Sequence, residues 1–320
     1  MITDVPGIRV GHATDRTGLT GCSVVLCDRP AVGGVELRGW ACGVHGLDFL
    51  DPRHLVPTLD GVLLSGGSAF GLEAVFGVMQ WLEERGVGFR AGPTVVPHVA
   101  GAILFDLSVG DHRARPTRAM GYQACLNARA GQVEEGSIGA GTGATVGKLF
   151  GIARAMKGGI GSASIGLGEA IVGALVAVNA FGDIRDPETG RLLAGTRRAP
   201  GDLGLVDTAA ELSRGAPLRG FGPLQHTTIG VLATNCRLTK PEALKVAQLG
   251  MTGFARAVSP PHTAVDGDVL FCLSVGDVPA EPTAVGLAAA EAAAQAIVRA
   301  IRAATPLPGL PAWHDLPRDA

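Results

Sequence analysis

The sequence has few aromatic side chains and almost no net charge. Its 320 residues include ten phenylalanines, three tryptophans and a single tyrosine, and the formal net charge at pH 7 is −2. No run of lysine and arginine stands out, so the chain lacks the positive patch with which proteins bind nucleic acid or an anionic membrane. We therefore expect neither nucleic acid nor a membrane as a partner.

The sequence pattern also lacks targeting segments and paired cysteines. The opening MITDVPGIRVGH has no basic stretch followed by an apolar one, and no uninterrupted apolar run reaches the roughly 20 residues of a membrane span. The six cysteines are scattered without a CxxC pair, which favours free thiols over disulfides or zinc. These absences predict a cytoplasmic protein without a structural metal.

Glycine and short apolar runs are abundant. The 48 glycines indicate many tight turns rather than a helical bundle. Helical spacing predicts helices over 71–85, from a capping box of Thr239 and Glu242 to Pro260, and over 284–304. Alternating strands and helices predict one layered α/β domain. Apolar runs of strand length occur at 22–27, 61–65, 102–109, 174–182, 229–234 and 269–275.

Two longer features concern the organisation of the chain. The octapeptides LFDLSVGD at 104–111 and LFCLSVGD at 270–277 differ at one position, which suggests two equivalent strands but is too short to show a duplication. Residues 183–226 are polar and rich in Gly, Pro and Arg, as in a long exposed loop. That loop would end at the pair Thr227 and Thr228.

The turn GGSAFG follows a predicted strand and begins a predicted helix, like the nucleophile elbow of a serine hydrolase. Phe70, however, replaces the last glycine of the GxSxG pattern. We interpret the segment as a turn in which the amides of Gly66 and Gly67 and the hydroxyl of Ser68 face a cleft. Ser68 remains a second candidate nucleophile.

Two other motifs are weak evidence for chemistry. GAGTGATVGK at 139–148 resembles a phosphate loop, but Thr142 and Leu149 replace the first glycine and the magnesium-binding hydroxyl of that pattern. HTAVDGD at 262–268 has one histidine and two aspartates, and we favour a turn over a metal site there. No cofactor is predicted.

The pair Thr227 and Thr228 allows a sharper hypothesis. β-branched residues are common where strands begin, and this explains an arbitrary pair. If the chain were cleaved between His226 and Thr227, however, the new N-terminal threonine would carry a nucleophilic hydroxyl and a basic amine on one residue. An α-amino group has a pKa of about 7.7–8.0, so it can accept the hydroxyl proton near neutral pH.

Six segments, in this order, also carry a family resemblance: ITDVPGIRVGHAT, GVLLSGGSAFGLEA, GAGTGATVGK, VNAFGDI, TTIGVLATN and HTAVDGDVLF. Through them the chain resembles, over nearly its whole length, the L-aminopeptidase/D-esterase (DmpA-type) family, which includes β-peptidyl aminopeptidases and the nylon-oligomer endohydrolase. The resemblance implies an autoprocessing N-terminal-nucleophile hydrolase with an αββα sandwich, cleaved into an α chain of residues 1–226 and a β chain of residues 227–320. It also implies a tetramer or octamer that acts on a small amide or peptide substrate.

By position, the resemblance implies Thr227 as the nucleophile, with Lys148, Asn179, Asp266 and Asp268 as the other catalytic residues. Lys148 would keep the Thr227 amine partly deprotonated through like-charge repulsion and would hydrogen-bond the nucleophile. Asn179 would donate its amide to the oxyanion. Asp266 and Asp268, two residues apart, would point to the same side of an extended segment and orient the amines.

Three features differ from the family pattern, and one is the segment RGWACGVHG at 38–46, which replaces a Gly/Pro-rich run frequent in relatives. His226 precedes the proposed nucleophile where relatives commonly have Asn or Gly, and Phe105 stands where the nylon-oligomer branch has a tyrosine. Three functions remain open. They are an amidase or aminopeptidase acting on small peptides, amino-acid amides or ω-amino amides, an acyltransferase of the ornithine acetyltransferase type, and an unprocessed homologue without catalysis.

Overall fold

A computed structural model describes residues 1–217 and 226–317 of the chain. The strands are β1 (Ile8–Asp15), β2 (Thr20–Gly39), β3 (Val44–His45), β4 (Leu59–Ser65), β5 (Phe89–Ala91), β6 (Thr94–Val96), β7 (Val99–Ile103), β8 (Thr145–Val146), β9 (Met156–Lys157), β10 (Gly159–Leu167), β11 (Ala170–Asn179), β12 (Asp183–Arg185), β13 (Leu192–Ala194), β14 (Thr227–Cys236), β15 (Val258–Ser259) and β16 (Gly267–Val278). The helices are α1 (Glu73–Glu83), α2 (Arg118–Leu126), α3 (Thr208–Ser213), α4 (Lys240–Ala257) and α5 (Pro282–Ala303).

The long strand β2 passes through two sheets. Its first part lies between β1 and β4, and its second part pairs antiparallel with β16. The first sheet therefore has the order β1-β2-β4-β7-β3, and the second has the order β10-β11-β14-β16-β2. Two of these pairings are parallel, β4 with β7 and β14 with β16.

Side chains that alternate along the strands build four layers. In β14, Ile229 and Val231 join the cluster between the sheets, whereas Leu232 packs with α4 and α5 on the outer face of the second sheet. In β4, Leu64 faces the space between the sheets, and Leu63 packs with α1 and α2. The layers run helix, sheet, sheet, helix, so the predicted αββα sandwich is confirmed.

The predicted helices are present, with changes at their ends. The hydroxyl of Thr239 accepts a hydrogen bond from the Glu242 amide, and the Glu242 carboxylate accepts one from the Thr239 amide, so the capping box begins α4 as expected. Helix α1 begins only at Glu73, because residues 68–72 form a 3-10 turn.

Helix α5 is long and apolar enough to cross a membrane, judged by length and composition alone. In the fold, 72% of its most apolar 18-residue window is buried. It packs against α4, β10 and β11. Its apolar surface therefore belongs to the outer helix layer of the sandwich.

The two similar octapeptides are not equivalent strands. Residues 270–277 lie within β16, but β7 ends at Ile103, and residues 104–111 leave the sheet. Asp106 explains the difference, because its buried carboxylate accepts hydrogen bonds from the Thr20 hydroxyl at 2.7 Å and the Gly67 amide at 2.7 Å. These bonds hold Asp106 away from the line of β7, and the chain leaves the sheet after Ile103.

The interpretation of residues 183–226 as one long exposed loop is wrong for residues 183–217. This part contains β12, β13 and α3, and it is organised around Asp183, which is fully buried. The Asp183 carboxylate accepts hydrogen bonds from the Thr196 amide, the Thr208 amide and the Thr208 hydroxyl. Residues 218–225, at the end of the predicted loop, lie outside the described residues.

The segment that begins at Thr227 occupies the middle of the second sheet. Its strands β14 and β16 pair with each other and lie between β11 and β2. Its helices α4 and α5 pack on the same sheet and on each other. Strands from the earlier part of the chain therefore hold this segment on both sides.

Candidate active site

Thr227 is the first residue of β14 and lies opposite Asn179, the last residue of β11. It has the same strand parity as Ile229 and Val231, so its side chain faces the space between the sheets. Only 2% of Thr227 is exposed. The strand therefore holds the hydroxyl at a fixed, buried position.

The peptide bond before Thr227 receives two hydrogen bonds on its carbonyl oxygen. The Thr227 hydroxyl donates to the oxygen of His226, and the Gly267 amide donates to the same atom at 2.9 Å. An amide aimed at a carbonyl oxygen polarises the carbonyl and stabilises the negative charge that forms when a nucleophile attacks it. A hydroxyl and a polarised carbonyl thus lie next to each other.

His226 is buried and uncharged. Its ring packs edge-on against Phe181, with the ring centroids 5.2 Å apart. Burial, assisted by the positive charge of Lys148, lowers the pKa of the imidazole far below its usual range. Its Nδ1 atom is buried and has no hydrogen-bond partner among the described residues.

Lys148 points into the protein because of the turn before it. Gly147 has φ of +69°, and a Cβ atom there would lie 1.9 Å from the Gly195 backbone, so only glycine fits. The Lys148 Nζ donates to the backbone oxygen of Asn179 at 3.0 Å and to its Oδ1 at 2.9 Å. Burial lowers the pKa of Lys148 to about 7, against the opposing effect of the Asp266 charge. The amine therefore exchanges its proton near neutral pH.

Asn179 has its amide group fixed by neighbours. Its Oδ1 accepts hydrogen bonds from Lys148 and from the Thr145 amide at 3.0 Å, and its Nδ2 donates to the Phe105 oxygen at 3.1 Å. The predicted oxyanion donor is thus engaged elsewhere while the chain is intact, and the Gly267 amide contacts the His226 carbonyl instead. Phe105 contributes to this arrangement through its backbone oxygen, which accepts the hydrogen bond from Asn179.

Asp266 and Asp268 flank Gly267 and anchor the surrounding backbone. Asp266 accepts hydrogen bonds from the Phe181 amide at 3.1 Å and the Thr263 amide at 3.0 Å. Burial and the nearby charge of Asp268 raise the pKa of Asp266.

Asp268 accepts a hydrogen bond from the Thr228 amide at 2.7 Å, and its other oxygen lies 2.7 Å from Nδ1 of His262. It therefore fixes the start of β14 from the residue after Thr227. Within residues 1–217 and 226–317, no group of three or more His, Cys, Asp or Glu residues is arranged to hold a metal ion.

The glycine turn at 66–68 joins the site through its neighbours Phe105 and Asp106. The Gly67 amide donates to Asp106, whose preceding residue, Phe105, accepts the hydrogen bond from Asn179. A Cβ atom at Gly66 would lie 2.2 Å from Asp106 Oδ2, so this approach requires glycine. In the described part of the chain, no hydrogen bond joins Ser68 to a basic side chain, and the structure gives Ser68 no activating partner.

Several residues that complete the cluster were not predicted from the sequence. They are Thr145, Phe181, Thr263 and Gly267, which contribute mainly through backbone amides or an apolar ring. Each lies within three residues of a predicted site residue. All four also lie within the quoted family motifs, but no side-chain chemistry in the sequence distinguishes them from their neighbours.

Comparison with known sequences agrees with the resemblance. The family model described as peptidase family S58 matches residues 1–312. An uncharacterized aminopeptidase of Mycobacterium tuberculosis is 40% identical over 348 aligned positions, which cover 98% of this chain and 97% of that protein. A 6-aminohexanoate-oligomer endohydrolase of Kocuria sp. is 30% identical and covers 93% of this chain and 85% of its own.

Solved structures show the same fold. The L-aminopeptidase D-Ala-esterase/amidase of Ochrobactrum anthropi, described as a serine aminopeptidase with a variant of the Ntn hydrolase fold, has a TM-score of 0.72 at 21% identity, covering 96% of this chain and 86% of its own. A β-aminopeptidase of Burkholderia sp. has a TM-score of 0.68 at 25% identity, covering 96% and 87%. The chain belongs to peptidase family S58, with the Ntn hydrolase fold, and is a hydrolase of amide or peptide bonds.

Proposed function

We propose that the protein cleaves its own peptide bond between His226 and Thr227 and then works as an N-terminal-threonine amide hydrolase. One observation carries the proposal: the Thr227 hydroxyl contacts the carbonyl oxygen of the preceding residue, which the Gly267 amide also polarises. The nucleophile, the bond to be cleaved and a donor for the developing charge are thus together in the intact chain.

Maturation takes two steps. The Thr227 oxygen bonds to the carbonyl carbon of His226, the bond from this carbon to the Thr227 nitrogen breaks, and the hydroxyl proton passes to that nitrogen. The result is an ester with a free Thr227 amine. Water then adds to the ester carbon, the carbon–Oγ bond breaks, and the Thr227 oxygen takes a proton.

We assign the movement of the proton in the first step to Lys148. Its amine is held against Asn179, directly across the sheet from Thr227, and it exchanges its proton near pH 7. After cleavage, its positive charge would oppose protonation of the Thr227 amine, which then relays the proton in turnover.

The remaining residues hold this geometry. Asp266 fixes Phe181, whose backbone oxygen binds the Lys148 amide at 2.9 Å. Asp268 fixes the Thr228 amide, directly after the nucleophile. We propose that the carboxylates of Asp266 and Asp268 bind the new Thr227 amine once it is free. Asn179 can serve as an oxyanion donor in the mature enzyme if its amide leaves Phe105.

The fold is compatible with a cleaved chain. Residues from Thr227 onward supply β14 and β16 to the centre of the second sheet, between β11 and β2. Two neighbouring strands and the outer helix layer would keep the two chains together after the covalent link is lost. We propose that the mature protein contains both chains and assembles as a homo-oligomer, a tetramer or octamer.

For substrates, we propose small peptides, amino-acid amides or ω-amino amide oligomers. The names of the relatives support this range, since they include aminopeptidases and an endohydrolase of 6-aminohexanoate oligomers. The alternative is acyl transfer, in which an amine replaces water as the acceptor of the acyl group.

Hydrolysis of L-alanine p-nitroanilide, with and without an added amine, tests the proposal. We expect nitroaniline release without the amine, and loss of release in Thr227→Ala. Thr252→Ala, the same change at an exposed position of α4, serves as the matched control and should retain the activity. Release that depends on the amine and yields the transfer product would favour the acyltransferase, and undiminished release by Thr227→Ala would contradict the nucleophile.

A further inference from the structure

We propose that the buried site of the His226 side chain becomes, after cleavage, the pocket that selects the acyl part of substrates, and that it prefers flat, uncharged L side chains of the aromatic or imidazole type. The inference rests on the proposed function and adds a substrate class to it. One chemical argument and three observations lead to it.

The chemistry of maturation and of turnover passes through the same kind of ester. In maturation, the acyl group on the Thr227 oxygen is that of His226, and in turnover it is that of the substrate. Both esters join a carbonyl carbon to the same Thr227 oxygen, in the presence of a free Thr227 amine, and water hydrolyses both. His226 is therefore the first acyl group that this site holds.

The carbonyl of this acyl group already has its hydrogen bond. The Gly267 amide donates to the His226 oxygen at 2.9 Å. A substrate that takes up the same bond with its carbonyl directs its own side chain to the place of the His226 ring. The side chain in the intact protein thus shows where the substrate side chain lies.

The site of the His226 side chain accommodates an aromatic ring. The His226 ring meets the Phe181 ring edge-on, with an angle of 61° between the planes. Phe181 is buried in a small apolar cluster with Leu149 and Val265. The backbone of Phe181 is fixed on both sides, by Asp266 and by Lys148, so the pocket wall is tied to the catalytic groups.

The electrostatics of the pocket disfavour charge. The positive charge of Lys148 and the burial of the site keep His226 neutral, and a lysine or arginine side chain there would meet the same penalty. The buried Nδ1 of His226 has no partner among the described residues, so the pocket makes no use of this polar atom. This polar atom therefore gives imidazole no advantage over a phenyl ring.

The test compares kcat/KM for the p-nitroanilides of L-Phe, L-His, L-Ala and L-Lys. We expect the Phe substrate to exceed the Ala and Lys substrates by about tenfold or more, the factor that one aromatic contact and the added apolar burial supply. The His substrate should approach the Phe substrate only above the pKa of its own imidazole. Equal or better turnover of the Ala substrate would overturn the inference.

Two sets of variants make the test specific. Phe181→Ala should lower the Phe-to-Ala ratio of kcat/KM several-fold, whereas Phe89→Ala, an exposed phenylalanine on β5, should leave it unchanged. In the intact precursor, self-cleavage should be retained in His226→Phe and should slow at least tenfold in His226→Lys. A ratio that Phe181→Ala does not alter, or rapid cleavage of His226→Lys, would contradict the pocket.

The two proposals fail in different ways. If neither self-cleavage nor Thr227-dependent hydrolysis of any of the four substrates occurs, the proposed function fails, and the pocket inference fails with it. If Thr227-dependent hydrolysis occurs without a preference for the Phe substrate, only the pocket inference is wrong.

Discussion

Replacing Lys148 by methionine should stabilise the protein while it removes the proposed base. The two proteins to compare are the Thr227→Ala variant with Lys148 and the same variant with Lys148→Met. No self-cleavage is expected in either, so both should stay single chains. A fall in the pKa of Lys148 from 10.5 to about 7, at about 1.4 kcal/mol per pH unit, corresponds to a cost of about 5 kcal/mol for holding the charged lysine in the fold. Methionine has a similar length and no charge to bury.

The gain is reduced by the hydrogen bonds that methionine cannot form. Lys148 donates to two oxygen atoms of Asn179, and each bond contributes about 1 kcal/mol. Oδ1 of Asn179 keeps its bond from the Thr145 amide. The net increase in the free energy of unfolding at pH 6 is therefore expected to be on the order of 2–3 kcal/mol, in line with other replacements of buried charges by apolar groups.

The effect depends on pH in a defined direction. Between pH 7 and 10.5, the unfolded chain binds a proton that the folded chain has released from Lys148. The free energy of unfolding of the lysine-containing chain therefore rises with pH across this window. Since the methionine variant lacks this contribution, its advantage should be largest below pH 7 and should disappear near pH 9. Near pH 10.5 the lysine-containing chain should be the more stable by about 2 kcal/mol, because there only the two hydrogen bonds of Lys148 still count.

Urea unfolding at pH 6 and pH 9, followed by tryptophan fluorescence, measures the difference. Lys245→Met, the same substitution at an exposed position of α4, is the control and should change the free energy of unfolding by less than about 0.5 kcal/mol at either pH. If Lys148→Met were no more stable than its parent at pH 6, or if the difference did not change with pH, the argument that burial makes this lysine costly would be refuted.

Four further predictions concern the site and its support. Thr227→Ser should retain self-cleavage, because it keeps the hydroxyl, whereas Thr227→Val should abolish it; cleavage of the valine variant on a gel would refute the role of the hydroxyl. The rate of self-cleavage should increase with pH through about 7 as Lys148 loses its proton, and a rate that is constant from pH 5.5 to 8.5 would exclude Lys148 as the base. Asp268→Asn should slow cleavage at least about tenfold, since the carboxylate orders Thr228 and His262; unchanged kinetics would argue against this. Gly66→Ala should lose about 1–3 kcal/mol in urea unfolding because its Cβ would lie 2.2 Å from Asp106 Oδ2, whereas Gly166→Ala, which meets no atom within 4 Å, should lose much less; equal losses would contradict the proposed clash.

The sandwich and the approximate place of the site could be predicted from the sequence. Apolar runs identified most of the central strands, and the capping box at Thr239 identified the start of α4. The motifs that the chain shares with the family indicated that four residues lie near Thr227, namely Lys148, Asn179, Asp266 and Asp268. These predictions depend on local patterns or on residue types that the motifs specify.

What could not be predicted depends on backbone contacts and long-range partners. β2 contains the polar segment Asp28–Pro30 in its middle and still continues into the second sheet, because different strands pair with its two parts. The donor on the His226 carbonyl is the Gly267 amide, and no side chain marks such a contact in a sequence. Asp106 ends β7 early only because Thr20 and Gly67, far away in the chain, bind its carboxylate.

Self-cleavage at Thr227 is best tested by intact mass spectrometry with N-terminal sequencing of the purified protein. We expect two fragments, residues 1–226 and residues 227–320, with Thr227 as the new N-terminus of the smaller one, and a single uncleaved chain for Thr227→Ala. A wild-type protein that stays one chain of 32.5 kDa after long incubation, or a new N-terminus at another residue, would contradict it.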